Sequence, residues 1–195
     1  MINYPTGKKI NHATSSKHES GRGMDLERDI NDSNAYYREC DRALIYKKPT
    51  PVQVVKVDYP NRNHAKITEA YYKIPSTTDY NGIYRGKYID FEAKETQSTT
   101  AFAFKYIHPH QMEHLINVQK HGGIAFLIIR FTALNETYLL DASIMMEAKK
   151  TLKRKSIPYS TIKEKGHFIK ESYLPRLKYL DIVDEIYFKE DSLWL

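Results

Sequence analysis

Tyr88-Ile89-Asp90-Phe91-Glu92-Ala93-Lys94 alternates strictly along its length. A strand sends successive side chains to opposite faces, so Ile89, Phe91 and Ala93 share one face, and Tyr88, Asp90, Glu92 and Lys94 the other. The first face is core material; the second gathers charge, with Glu92 and Lys94 pointing the same way. Upstream, the stretch from Thr77 to Thr96 holds two turn dipeptides between apolar residues, Asn81-Gly82 and Arg85-Gly86. They predict a tight antiparallel pair that carries Asp79, thirteen residues before Glu92, back beside Glu92 and Lys94. Downstream, Pro109 suits a helix start, Gln111 to Gln119 has helical spacing of Met112, Leu115, Ile116 and Val118, and Gly122-Gly123 ends it. The unbroken apolar run Ile124 to Ile129 then reads as a strand buried on both faces at the centre of a sheet.

Working outward, Tyr138 to Leu140 gives a further strand, Ala142 to Lys155 a basic helix, and Tyr173 to Phe188 a closing segment of helix or strand. Toward the N-terminus, Met24, Glu27, Ile30, Asn34 and Tyr37 recur at helical spacing, and Ala43 to Tyr46 reads as a short buried strand. Lys47-Lys48-Pro49-Thr50-Pro51 must leave the sheet, because proline supplies no donor to a ladder. Two strand-like runs follow (Val52, Val54, Val57, then Ala65, Ile67, Tyr71), separated by turn chemistry at Tyr59-Pro60-Asn61-Arg62-Asn63. They predict a hairpin-like basic extension over about 47–73. The whole is an α/β domain, a mixed sheet flanked by helices over residues 24–195, preceded by a flexible polar arm over residues 1–23 whose basic residues are available to DNA.

Length and charge bound the function. A chain of 195 residues that is 41% hydrophobic builds one substantial core rather than two domains. Sixteen tyrosines against seven phenylalanines and one tryptophan leave many rings with a polar tip, which suits a wet interface. The formal charge of +6 favours an anionic partner. From Arg42 to Lys73 seven Lys and Arg face two acids, Asp58 and Glu69, whereas the tail (Asp181, Asp184, Glu185, Glu190, Asp191) is acidic but for Lys189. A second basic zone spans Glu147 to Lys178. Nucleic acid is therefore the expected partner, with Lys47, Lys48, Lys56, Arg62 and Lys66 as contacts; the competing reading is a solvated edge whose lysines discourage aggregation. The single Cys40 excludes an internal disulfide, fits a reducing compartment and is expected to be buried filler. With no apolar run of membrane-span length and no signal segment, a cytoplasmic protein that does not enter membranes is expected.

Phosphodiester hydrolysis needs a hard divalent ion on oxygen ligands, an activated water, and positive charge where the phosphate accumulates negative charge. Asp79 and Glu92 are suited to bind Mg²⁺ or Mn²⁺, with the Ala93 carbonyl as a further ligand, and Lys94 to orient the water or stabilise the transition state. An acid-x-Lys triplet alone is weak; its context gives it weight.

That context is a set of motifs in order: Gly21-Arg22-Gly23-Met24-x-Leu26-Glu27, Lys47-Lys48-Pro49-Thr50-Pro51-Val52-Gln53, Pro75-Ser76-Thr77-Thr78-Asp79-Tyr80-Asn81-Gly82 and Ile89-Asp90-Phe91-Glu92-Ala93-Lys94-Glu95-Thr96. Ile107-His108-x-His110-Gln111-x-Glu113-His114, Phe126-Leu127-Ile128-Ile129-Arg130-Phe131 and Pro175-Arg176-Leu177-x-Tyr179-Leu180 follow. Over nearly the whole chain this resembles the RecU family of Holliday junction resolvases. The resemblance implies a restriction-endonuclease-like fold, a homodimer acting on four-way junctions with protein partners in recombination, and a stalk between the active sites, placed at Lys47 to Lys73. It further implies metal ligands at Thr77, Asp79, Glu92 and Gln111, with Lys94 as transition-state stabiliser. The wording departs from the family's in the short N-terminal arm and at Asp141 to Lys155.

Other readings compete with this one. His110 and His114 share a helix face one turn apart, which suits zinc, but no cysteine or evident third ligand accompanies them; capping, packing or phosphate contact fits better. Glu27 and Glu69 are as well explained at the surface as beside the metal. A duplex-specific nuclease on the same fold keeps Asp79, Glu92 and Lys94, whereas a non-catalytic annealing factor needs only the basic surface.

Overall fold

The computed structural model describes residues 24–61, 64–73 and 77–189. The arm expected over residues 1–23, the proposed DNA contact Arg62 and the motif residues Pro75 and Ser76 lie outside the described residues, as do Glu190 and Asp191.

A six-stranded mixed sheet forms the frame. Its first strand in the chain, β1 (Leu44–Lys47), follows helix α1 (Met24–Glu39). A separate hairpin of β2 (Val52–Asn61) and β3 (His64–Tyr72) comes next, then β4 (Tyr80–Tyr84) and β5 (Lys87–Thr96). The short β6 (Ala101–Ala103) leads to helix α2 (Pro109–Lys120) and then to β7 (Ile124–Phe131) and β8 (Glu136–Asp141). After α3 (Ala142–Thr151) come β9 (Ser156–Pro158), α4 (Tyr159–Lys165), β10 (His167–Phe168) and α5 (Tyr179–Tyr187). The sheet order is β1-β4-β5-β7-β8-β10, so β7 sits inside it, buried at every residue as its apolar run predicts. β5 and β7 run parallel, from Ile89↔Ile124 to Thr96↔Phe131, and the other neighbours are antiparallel.

Period two divides β7 between two cores, and β5 joins the first of them. Ile89 and Phe91 of β5 and Phe126 and Ile128 of β7 pack with Leu26, Ile30 and Tyr37 of α1 and Tyr179, Leu180 and Val183 of α5. Phe91 lies stacked between Tyr80 and Phe126, its centroid 4.9 Å and 4.8 Å from theirs. On the opposite face Ala125, Leu127 and Ile129 meet Met112 and Leu115 of α2 and Met145 of α3. Helices thus cover both faces. The charged side of β5 lies on the α2 side, so Asp90 and Glu92 are fully buried rather than presented to water.

Several local readings are corrected. The β4–β5 turn is Arg85-Gly86, with φ of 47° and 74°, while Asn81-Gly82 lies within β4. Gly82 is needed for close approach: a Cβ there would lie 2.0 Å from the Leu44 carbonyl oxygen of β1. β1 is an edge strand with only Ile45 buried, not a buried strand. Helix α3 stops at Thr151, and Cys40, just past α1, is exposed.

The residues after Lys48 leave the sheet, and β2 and β3 pair only with each other, from Val52↔Tyr72 to Asn61↔His64, exposed along almost their whole length. At the usual rise, ten residues give an arm about 30 Å long. No described helix is long and apolar enough to cross a membrane.

Candidate active site

The register of β4 against β5 builds the site. Tyr80 pairs with Phe91, so Asp79, one residue before β4, falls beside Glu92. The Asp79 backbone N–H donates to Glu92 Oε2 at 3.1 Å, and Asp79 Oδ2 accepts from the Ala93 N–H at 3.4 Å and from Lys94 Nζ at 3.3 Å. Lys94 Nζ also pairs with Glu92 Oε1. The three groups that the alternation brings to one place are thus joined in one network. Glu92 has no exposed side-chain surface, while the side chains of Asp79 and Lys94 are 34% and 29% exposed, so the site opens from the Asp79 side. It opens into a cleft of about 450 Å³ whose walls include Glu27, Lys48, Thr77 and Glu95.

Burial pushes the Glu92 carboxyl up to about 7, the Asp79 charge adding to the rise and the Lys94 ammonium opposing it. For Lys94, burial acts against the charged form, but Glu92 and Asp79 outweigh it and hold the ammonium above its ordinary value. The Lys94 ammonium is therefore held in its charged form beside Asp79 and Glu92. Among the described residues no three His, Cys, Asp or Glu side chains form a metal-holding group. Asp79 and Glu92 nonetheless supply two carboxylates, hard oxygen donors of the kind a hard divalent cation takes.

The family model for recombination protein U, RecU, matches residues 21–185. The chain belongs to the RecU family. It is 52% identical over 196 residues to the "Holliday junction resolvase RecU" of Geobacillus kaustophilus (strain HTA426), covering 96% of this chain and 98% of that one. It is 50% identical over 198 residues to the protein of the same name from Geobacillus sp. (strain WCH70), with the same coverage. Among solved structures, Archaeoglobus fulgidus Hjc, a Holliday junction resolvase, is similar at a TM-score of 0.41 and 12% identity, over 75% of this chain and 95% of that one.

The other residues that the RecU resemblance marks are placed unevenly. Gln111 does reach the site, but with its amide nitrogen: Nε2 donates to Glu92 Oε1 at 2.8 Å while Oε1 accepts from the His108 N–H at 2.9 Å, inside the capping box of α2. In this arrangement it orients Glu92. Thr77 borders the cleft and accepts from Lys48 Nζ at 3.3 Å. Of the proposed DNA contacts, Lys47 and Lys48 stand at the root of the β2–β3 hairpin and are already paired. Lys47 reaches Glu27 at 2.5 Å and Lys48 reaches Asp90 at 2.8 Å. Lys56 and Lys66 lie exposed on the hairpin, away from the three converging groups.

Sequence reasoning leaves out Asp90. Its fully buried carboxylate accepts from Lys48 Nζ and Tyr88 OH, each at 2.8 Å, from the Thr78 hydroxyl, and lies 3.0 Å from His114 Nε2. Because Lys48 also donates to Thr78 at 2.9 Å, Asp90 and Lys48 tie both ends of the hairpin segment to β5, two residues from Glu92. The strand alternation already sets Asp90 beside Glu92; its partners, far off in sequence, carry no signal. His114 is thereby engaged with a carboxylate, and among the described residues no group of three His, Cys, Asp or Glu side chains supports the zinc reading.

Proposed function

We propose that this RecU-family chain is a Mg²⁺-dependent endonuclease that resolves four-way DNA junctions by paired nicks. It acts as a homodimer in the bacterial cytoplasm, with protein partners in recombination and repair. The observation that carries this reading is the convergence of Asp79, Glu92 and Lys94 on one cleft at the root of a basic hairpin. Family membership and the names of the relatives support it. A divalent ion, Mg²⁺ or Mn²⁺, held by Asp79 and Glu92 with the Ala93 carbonyl would supply the Lewis acid and the activated water. Lys94 offsets charge building on the phosphate, and Gln111 fixes the rotamer of Glu92. Residues 24–195 act as one nuclease domain of the restriction-endonuclease-like kind, and the hairpin is the stalk that enters the open centre of the junction.

The test is to incubate the protein with a mobile four-way junction, a linear duplex and a single strand, each with and without Mg²⁺. Metal-dependent nicking selective for the junction is expected. Equal cutting of linear duplex would favour the duplex-specific nuclease, and metal-independent binding without cutting the annealing factor.

The stalk reading makes its own prediction. Neutralising Lys56, Arg62 and Lys66 together should weaken junction binding and flatten its salt dependence by roughly 0.9 in slope for each phosphate left without its cation. An unchanged slope would place the junction-binding surface elsewhere.

A further inference from the structure

Beside the N-terminus of α2 lies a hollow of about 740 Å³ whose lining carries Lys105, Lys149, Arg154 and Lys155, with His108 at its edge, and no carboxylate. We propose that this hollow grips the phosphate backbone of a duplex arm next to the cleavage site, as a DNA contact surface distinct from the hairpin. The inference rests on the junction-cutting reading and extends it from the centre of the substrate to its arms.

The cations are held on a firm frame. β6 pairs with β9, Phe102 and Ile157 are fully buried between them, and the Phe104 N–H donates to the Lys155 carbonyl at 3.0 Å. Lys105, in the short 3-10 turn that follows β6, and Lys155, just before β9, are thus held close together. Lys149 lies in the last turn of α3, where a cation complements the helix dipole. That account does not extend to Arg154 and Lys155, which lie beyond the helix. All four side chains are exposed, and none forms an ion pair with another described residue. Four like charges around one concavity repel one another unless an anion sits among them. A phosphate backbone is such an anion, whereas a single small anion would leave much of the hollow unfilled.

The position of the hollow selects the duplex arm. The His108 N–H at its edge is bonded by Gln111, and the other end of the same side chain holds Glu92. One side chain therefore spans from the edge of the hollow to the carboxylate of the cleft, so the hollow neighbours the site, and we place there the duplex arm that continues from a scissile phosphate at Asp79 and Glu92.

The test compares wild type with the triple variant Lys149→Ala, Arg154→Ala, Lys155→Ala and with the charge-keeping variant Lys149→Arg, Arg154→Lys, Lys155→Arg. Thermal melting checks the fold of each. Affinity for a four-way junction and for linear duplex is measured across a salt series, using long and truncated arms. The alanine variant is expected to lose affinity for both DNAs, with a salt slope lower by roughly two to three units, about 0.9 for each phosphate. It should also become insensitive to arm truncation, while the charge-keeping variant behaves as wild type. An alanine variant that keeps the wild-type slope and arm dependence overturns the inference and leaves the nuclease reading standing. Failure of wild type to bind the junction overturns the nuclease reading, and this inference with it.

Discussion

Asp79→Asn, Glu92→Gln and Lys94→Ala are each expected to slow junction cutting by about a hundredfold or more, while junction affinity stays close to that of wild type. The separation follows from the geometry. The three groups bond to one another around a single cleft, whereas the exposed cations Lys56 and Lys66 lie on another element. Each variant also leaves tolerable partners. With Gln at position 92, Lys94 retains Asp79; with Ala at position 94, two adjacent carboxylates remain, and Glu92, already raised to about 7, takes up a proton. Gln111→Ala should cost only about tenfold, the scale of one hydrogen bond that orients Glu92. Because each chain carries the constellation once, paired nicks need two chains related by two-fold symmetry. Mixed dimers with one Glu92→Gln subunit should therefore nick a supercoiled cruciform without linearising it. A variant at Asp79 or Glu92 that cuts near the wild-type rate removes this site from consideration.

What is legible from sequence is whatever is encoded locally. Alternation fixes the faces of β5, the apolar run fixes β7 as an interior strand, and Pro109 with Gly122-Gly123 brackets α2. The Asp79, Glu92 and Lys94 convergence follows from one turn and one period. The misreadings arise where a distant neighbour decides. Asn81-Gly82 looks like a turn, but the glycine serves the approach of β1, some forty residues earlier. The charge on one face of β5 is legible, but nothing local tells that α2 lies over it and buries it, or that Lys48, Thr78 and His114 meet Asp90 there. Helix α1 shows the same effect. It buries Asp29, Ser33 and Asn34 along with Leu26, Ile30 and Tyr37, a stripe too polar to read as core until the partners are seen: Arg130 and Arg176 for Asp29, the Leu177 N–H for Ser33 and Tyr179 for Asn34.

Arg130→Ala is expected to destabilise the fold by about 3 kcal/mol, the lower end of what removing one partner of a buried ion pair costs. Arg130 is a charged residue inside the central strand, with 8% of its side chain exposed. Its guanidinium lies 2.8 Å from Asp29 of α1, 3.3 Å from Glu171 and 3.9 Å from Glu95 of β5, while Nε donates to Thr137 of β8 at 3.0 Å. One planar group with five donors thus joins a helix, three strands and the segment before α5, which a flexible lysine does not replace. Removing it strips the main partner from Asp29, which is only 7% exposed; the lower figure applies because Arg176 still reaches Asp29 at 3.3 Å. The loss also bears on the cleft. Glu95 accepts the Leu26 N–H at 2.9 Å, so the acid beside Arg130 also holds the start of α1, where Leu26 and Glu27 line the site. For a chain of this size the cost corresponds to a fall of about 6–12 °C in melting temperature. The double variant Arg130→Met, Asp29→Leu, which removes both charges and restores apolar volume, should recover much of it. Melting of Arg130→Ala within a degree or two of wild type would show that the pair is not a structural tie, and a double variant as unstable as the single would place the cost in packing rather than in the orphaned charge.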